Sequence, residues 1–262
     1  MTADLYIIAA GKGSRMGGSL PKALLPITDE PCLTTTLKQI GHKFKNVFVV
    51  TNVDIQTDWE YYFANSLYKL MKNVRNIPIT SGLGDGHAVL SAFSKVDEMH
   101  LTAEVERSND VVICWGDVFF QHSEIIDELL SRPLKFSGII PAVMKDDPYV
   151  SLLVDNSLAC ISADFSKYGE KHPTGFHDQS VFRFNMSMLR DALSSLNRCF
   201  WKNGRYITPG GELSLLHSFH YLYNIGLPAH VYGTDYPTLS FNTPDEVRII
   251  QEEINQKWSN QS

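Results

Sequence analysis

Three shortages narrow the reading before any motif does. The 262-residue chain has only four cysteines, Cys32, Cys114, Cys160 and Cys199, widely spaced and with no C-x-x-C pair. That spacing argues against a disulfide framework or a zinc site and for reduced, mostly buried thiols. No apolar run approaches the roughly 18 residues of a membrane span. The first residues, MTADLYIIAAGKG, carry no basic leader, so no membrane partner and a cytoplasmic location are expected. Positive charge is also short: 23 Lys and Arg stand against 29 Asp and Glu, for a net charge of −6. A sequence-independent nucleic-acid partner normally needs a basic face, so none is expected, and any anion site must be local.

Short β-branched runs alternate with helix-patterned stretches through the first half. The strands expected are 5–9, 46–51, 76–80, 110–115 and 136–143, with helices near 31–42, 57–72, 86–95 and 122–131. Near-continuous apolar strands between helices signal βαβ units, hence an α/β, Rossmann-like, mostly parallel twisted sheet with helices on both faces and right-handed crossovers. After about residue 145 the pattern changes to a two-strand meander turning at Asp155-Asn156, a strand at QSVFRFN, helices at 187–197 and 212–223, and a strand at AHVYGTD. The terminal helix should open on a capping box, with Thr243 as N-cap, Pro244 next and Glu246 three residues on. One domain over 1–262 is expected: a nucleotide-binding half to about 145, then an acceptor-binding half from about 146.

Directly after the first strand, AAGKGSRMGGSLPKALLPI places four glycines, two lysines and an arginine in residues 9–27. Glycine lets backbone N–H groups converge on a phosphate with no Cβ in the way. The spacing fits neither a Walker A loop nor a dinucleotide fingerprint. The third glycine of the latter falls one place late, at Gly17, and the second strand ends in Asn52 rather than an acid.

The arrangement strand, AAGKGSRM, short gap, PKALLPI instead resembles the signature of sugar-nucleotide pyrophosphorylase nucleotidyltransferases. It is most similar to the uridylyltransferase domain acting on N-acetylglucosamine 1-phosphate, and more loosely to molybdenum-cofactor guanylyltransferases. The resemblance implies that Ala9, Ala10, Gly11, Gly13 and Ser14 cradle the nucleotide, that Arg15 grips the β- and γ-phosphates, and that Lys22 meets the α-phosphate region. Lys12 can be read with them or as a solvated loop tip. SGLGDGHAVLSAF resembles the family's L-G-T-G-H-A segment beside the base, with Asp85 in place of Thr. It brings in Gly84, Asp85, Gly86 and His87, though His87 reads equally as a structural histidine.

VVICWGDVFF matches the family strand ending in G-D, which makes Asp117 a nucleotide and metal ligand, or alternatively the cap of the next helix. LSFNTPDEV resembles the late segment that supplies a second ligand, here Asn242, with Asp235 and Asp245 as fallbacks and helix capping as the competing role. Mg²⁺ is the implied cofactor. GGELSLLHSF and DQSVFRFN are similar to the acceptor segments, placing Glu212 and Gln179 at the acceptor, although His217 stands where the family has Asp and the Asn-Thr-Gly core is missing.

The expected activity is transfer of a nucleoside monophosphate from an NTP, UTP or CTP first, to a phosphorylated small molecule, with release of pyrophosphate. A sugar 1-phosphate is the leading acceptor, and a polyol, amino-alcohol or amino-acid phosphate or a phosphonate the alternative. A nucleotide-sugar glycosyltransferase would normally carry Asp-x-Asp, and no two aspartates here stand two apart. A non-catalytic nucleotide-binding module is the other rival, and it could dispense with Arg15, Lys22 and Asp117.

Overall fold

The computed structural model describes residues 3–11, 20–80, 82–169 and 171–259. The apolar runs of the first half form β1 (Asp4–Ile8), β2 (Val47–Asn52), β3 (Val74–Ile79) and β4 (Asp110–Trp115). They pair in parallel in the order β3-β2-β1-β4. Every residue of β1 and β2 is buried, as a parallel strand covered on both faces requires. Between them run α1 (Cys32–Ile40), α2 (Gln56–Tyr62), α3 (Tyr68–Leu70) and α4 (Asp85–Leu101). The single helix expected over 57–72 is broken by a π turn at Phe63–Leu67.

The second half begins with β5 (Val118–Phe120), α5 (Glu124–Ser131), β6 (Gly138–Asp146), β7 (Val150–Val154) and β8 (Cys160–Phe165). It continues through β9 (Thr174–Asp178), β10 (Val181–Asn185), α6 (Met186–Phe200) and the small hairpin β11 (Trp201–Lys202) and β12 (Arg205–Tyr206). It closes with α7 (His217–Asn224), β13 (Ala229–Gly233), β14 (Thr238–Ser240) and α8 (Pro244–Ser259). Strand β10 lies antiparallel to both β4 and β6, and β9, β7 and β8 extend the sheet antiparallel beyond them. The two halves thus share one sheet, the first part parallel as expected and the second mixed.

Alternation along β1 builds two cores. Tyr6 and Ile8 face the layer holding Val89 and Phe93 of α4 and Phe219 of α7. Leu5 and Ile7 face the other, with Leu33 and Leu37 of α1 and Trp59 of α2. A third, smaller cluster gathers Ile27, Cys32, Phe119, Phe241, Ile250 and Ile254. Each fully buried side chain of this kind contributes about 1.5–3 kcal/mol, so α8 is firmly docked.

The meander turns where expected, because the Asp155 carboxylate accepts from the N–H groups of Ser157 and Ala159 at 2.8 and 3.0 Å. The capping box also forms: Thr243 Oγ1 accepts from Glu246 N at 3.3 Å, and Glu246 Oε2 accepts from Thr243 N at 3.0 Å. The helix expected over 212–223 starts only at His217. Residues 213–215 are instead hydrogen-bonded across the molecule to 83–86.

One charged residue braces the junction of the two halves. Arg183 on β10 forks onto Asp110 of β4 at 2.9 and 2.7 Å and donates through Nη1 to the carbonyls of Leu129, Leu130 and Arg132. Removing one partner of such a pair strands the other charge. Arg183→Met should lower stability by about 3 kcal/mol, read as a drop in thermal melting temperature. An unchanged melting temperature would show that the fork carries no load.

Candidate active site

Strand β1 sits where the strand order reverses, with β2 on one side and β4 on the other. In open α/β sheets the crevice beyond the carboxyl ends of strands at such a point is the usual ligand site. Here the register pairs Ile8 with Trp115, and Gly116 N donates to Ile8 O at 2.9 Å. The chain therefore leaves β1 through Ala9-Ala10-Gly11 and leaves β4 through Gly116-Asp117, side by side. A Cβ on Gly116 would stand 2.8 Å from that of Ala9. Only glycine lets the two exits lie so close.

Together with residues of the later segments they enclose a cleft of about 440 Å³. Of the residues singled out in the sequence, Ala9, Ala10, Gly11, Lys22, Gly84, Asp85, Asp117, Glu212 and Asn242 all line it. Arg15, Lys12, Gly13 and Ser14 lie outside the described residues. Trp115, Thr80, Gly82 and Gly116 line it as well. Trp115 ends a run that otherwise reads as buried strand, and only its place at the carboxyl edge exposes it to the cleft.

On the cleft wall, Lys22 Nζ donates to Asp117 Oδ2 at 3.0 Å, to Asn242 Oδ1 at 2.8 Å and to Phe241 O at 3.4 Å. These three groups come from positions 95, 219 and 220 residues away from the lysine. Neither oxygen is a helix cap: α5 opens on Ser123, and α8 is capped by Thr243. The fallback Asp235 is exposed and outside the cleft lining, and Asp245 pairs with Arg248 at 3.3 Å. One carboxylate and one amide oxygen, both bonded to the Lys22 ammonium, are donors of the kind a Mg²⁺ ion takes. That ion takes one or two protein oxygens and completes its shell with water and phosphate.

The 82–86 loop is held from the opposite side. Leu213 N donates to Leu83 O and Gly86 N to Leu213 O, both at 2.9 Å, and Leu215 N donates to Asp85 Oδ1 at 2.6 Å. Gly84 has φ +96° and its Cβ would fall 2.3 Å from Leu213 O, while a Cβ on Gly86 would meet Ser214 at 2.7 Å. Gly86 thus serves close packing between the halves and does not line the cleft. Asp85 borders the cleft but turns its carboxyl toward the 214–215 backbone, where burial raises its pKa.

Two further expected residues, besides Gly86, are not brought to the cleft. His87 is half-buried with its ring 6.2 Å from that of Tyr206, and burial lowers its pKa. Gln179 is 2% exposed. Its Nε2 donates to His177 O at 3.1 Å and its Oε1 accepts from Thr238 N at 2.8 Å. With both ends of the amide bonded to backbone, Gln179 ties β14 to the sheet and does not line the cleft. His217 is structural too: its Nδ1 accepts from Ser214 N at 3.1 Å.

A family model described as MobA-like NTP transferase domain matches residues 5–182. The chain is 30% identical over 149 residues to bifunctional protein GlmU of Stutzerimonas stutzeri (strain A1501), covering 56% of this chain and 29% of that protein. GlmU of Francisella philomiragia is 23% identical over 162 residues, covering 62% of this chain and 32% of that protein. The chain therefore spans about a third or less of the curated relatives it matches.

Among solved structures, HddC from Yersinia pseudotuberculosis, complexed with GMP-PN, superposes with TM-score 0.66 at 16% identity, over 97% of this chain and 100% of that one. The nucleoside-diphosphate-sugar pyrophosphorylase from Vibrio cholerae RC9 superposes with TM-score 0.68 at 14% identity, over 95% and 99%. Both share the fold. Among the described residues, no helix is long and apolar enough to cross a membrane.

The Asp85 contact sets a pH dependence. When an acid's folded pKa exceeds its unfolded one, the unfolded state gives up its proton first. Stability then falls as pH climbs from the unfolded value near 3.8 through the raised value. Asp85→Asn keeps an oxygen for Leu215 N and removes the ionisation. Thermal melts from acidic to neutral pH should show a shallower decline for this variant than for the parent; identical slopes would refute the assignment.

Proposed function

This chain belongs to the MobA-like NTP transferase family, and from that premise we propose that it transfers a nucleoside monophosphate from an NTP to a phosphorylated small molecule and releases pyrophosphate. The observation that carries the reading is the meeting of Lys22, Asp117 and Asn242 on one wall of the cleft. An acceptor phosphate oxygen attacks the α-phosphorus in line, a new P–O bond forms, and the bond to the β-phosphate oxygen breaks. Pyrophosphate carries the electron pair away. A phosphate monoester is already ionised near neutral pH, so the attack requires no general base.

In this reading Ala9, Ala10 and Gly11 bring backbone to the nucleotide, and Trp115 gives the cleft an aromatic wall. Lys22 presents a fixed ammonium to the charge that builds on the α-phosphate oxygens, and Arg15 does the same for the leaving group. Asp117 and Asn242 would hold Mg²⁺, which when bound neutralises phosphate charge and draws the two reactants together. Glu212 faces the acceptor.

UTP and CTP are the first donors to test, and a sugar 1-phosphate the first acceptor. The commitment of Gln179 to Thr238 favours keeping polyol, amino-alcohol and amino-acid phosphates and phosphonates in the panel. The Yersinia neighbour was crystallised with GMP-PN, so GTP belongs there too.

Pyrophosphate release across the four NTPs, each with that acceptor panel, tests the proposal. Lys22→Ala should cost about 10²-fold or more in kcat, and Asp117→Ala should remove activity together with its Mg²⁺ dependence. Full turnover in Lys22→Ala would overturn the mechanism.

A further inference from the structure

The capping box that opens α8 has a second role. Glu246 Oε2 accepts from Thr243 N at 3.0 Å, and the same oxygen accepts from the backbone N–H of Asn242. Asn242 is the residue whose side-chain oxygen meets Lys22. One carboxylate oxygen therefore fixes the peptide that carries a cleft ligand. The preceding residue, Phe241, is fully buried in the small third core and offers its carbonyl to Lys22 at 3.4 Å. With Phe241 anchored on one side and Glu246 gripping the N–H on the other, the backbone of Asn242 is left little rotation.

Three chain segments carry the cleft groups, and α8 touches all of them. Its Gln251 donates to Pro26 O at 3.0 Å, on the segment bearing Lys22. The strand leading into it, β14, pairs antiparallel with β5, which directly follows Asp117. Its Ile250 and Ile254 pack with Ile27 and Phe119 from those same segments. Glu246 is where this docked helix acts on a ligand oxygen.

We propose that Glu246 is a positioning residue for the cation site. It holds Asn242 Oδ1 beside Asp117 through the Asn242 N–H, while Thr243 serves only to cap the helix. This rests on the reading of Asp117 and Asn242 as metal ligands given above. Groups that orient a ligand from behind are typically worth 10–100-fold in metal affinity.

The two halves of the box separate the roles. Thr243→Ala removes the hydroxyl that caps α8 and leaves the hold on Asn242 intact. Glu246→Ala removes that hold, and Glu246→Gln restores an acceptor oxygen without the charge. Mn²⁺ alone, followed by loss of the free-ion EPR signal on titration with the intact chain, reads the site without turnover. Glu246→Ala should bind about tenfold more weakly than the parent, Glu246→Gln should recover most of that loss, and Thr243→Ala should match the parent while melting at a lower temperature.

Parent-like Mn²⁺ binding by Glu246→Ala would overturn the proposal. So would equal weakening in Thr243→Ala, which would assign the effect to helix fraying. A parent chain that takes up no Mn²⁺ would remove the ligand assignment and this inference with it. A parent that binds Mn²⁺ with the expected order of variants but releases no pyrophosphate would sustain Glu246's role while refuting the proposed reaction.

Discussion

A lysine ammonium flanked by a carboxylate and an amide oxygen is what the rest of the architecture serves. Lys22 lies just past the glycine-rich exit from β1, Asp117 follows β4, and Asn242 comes from the far end of the chain. No local sequence preference could bring these three together. They meet because β1 and β4 are neighbours in a parallel ladder, because β14 pairs with β5, and because α8 is docked on a small apolar cluster of its own. Buried side chains such as Phe241, next to Asn242, and Ile250, eight residues on, thus set the position of a polar contact.

The parallel part of the sheet and the antiparallel part have different duties. The first presents its strand ends to the cleft, and its β1 and β2 are buried along their whole length. Among the described residues, the second lines none of the cleft itself, and the chain that follows it brings Glu212 and Asn242 there. Arg183 crosses between them, satisfying Asp110 and three carbonyls at the carboxyl end of α5 at once. A guanidinium suits that place because its planar fork can serve several acceptors without losing its charge.

Much of this was legible in the chain itself. The β-branched runs marked β1, β2 and β4 to within a residue or two, because their burial on both faces leaves an uninterrupted apolar signal. Thr243 and Glu246 announced the start of α8 through their own chemistry. Lys22, Asp117 and Asn242 were named from motif likeness, and the fold places them in contact. The failures are as instructive. Gln179 reads from its motif as an acceptor contact, but its buried amide bonds His177 and Thr238, which no spacing rule reveals. The helix expected from residue 212 was overridden by hydrogen bonds from 83–86, a tertiary effect. The second bond of Glu246, to the Asn242 N–H, does not follow from the capping pattern that places it.

The stitching of 82–86 to 213–215 also bears on where this chain can tolerate change. Those two stretches share backbone hydrogen bonds and leave no space for a side chain at Gly84 or Gly86. An insertion or deletion on either one would shear its counterpart. Substitution is freer at residues that only border the recess, Glu212 foremost, whose exposed side chain takes no part in those bonds.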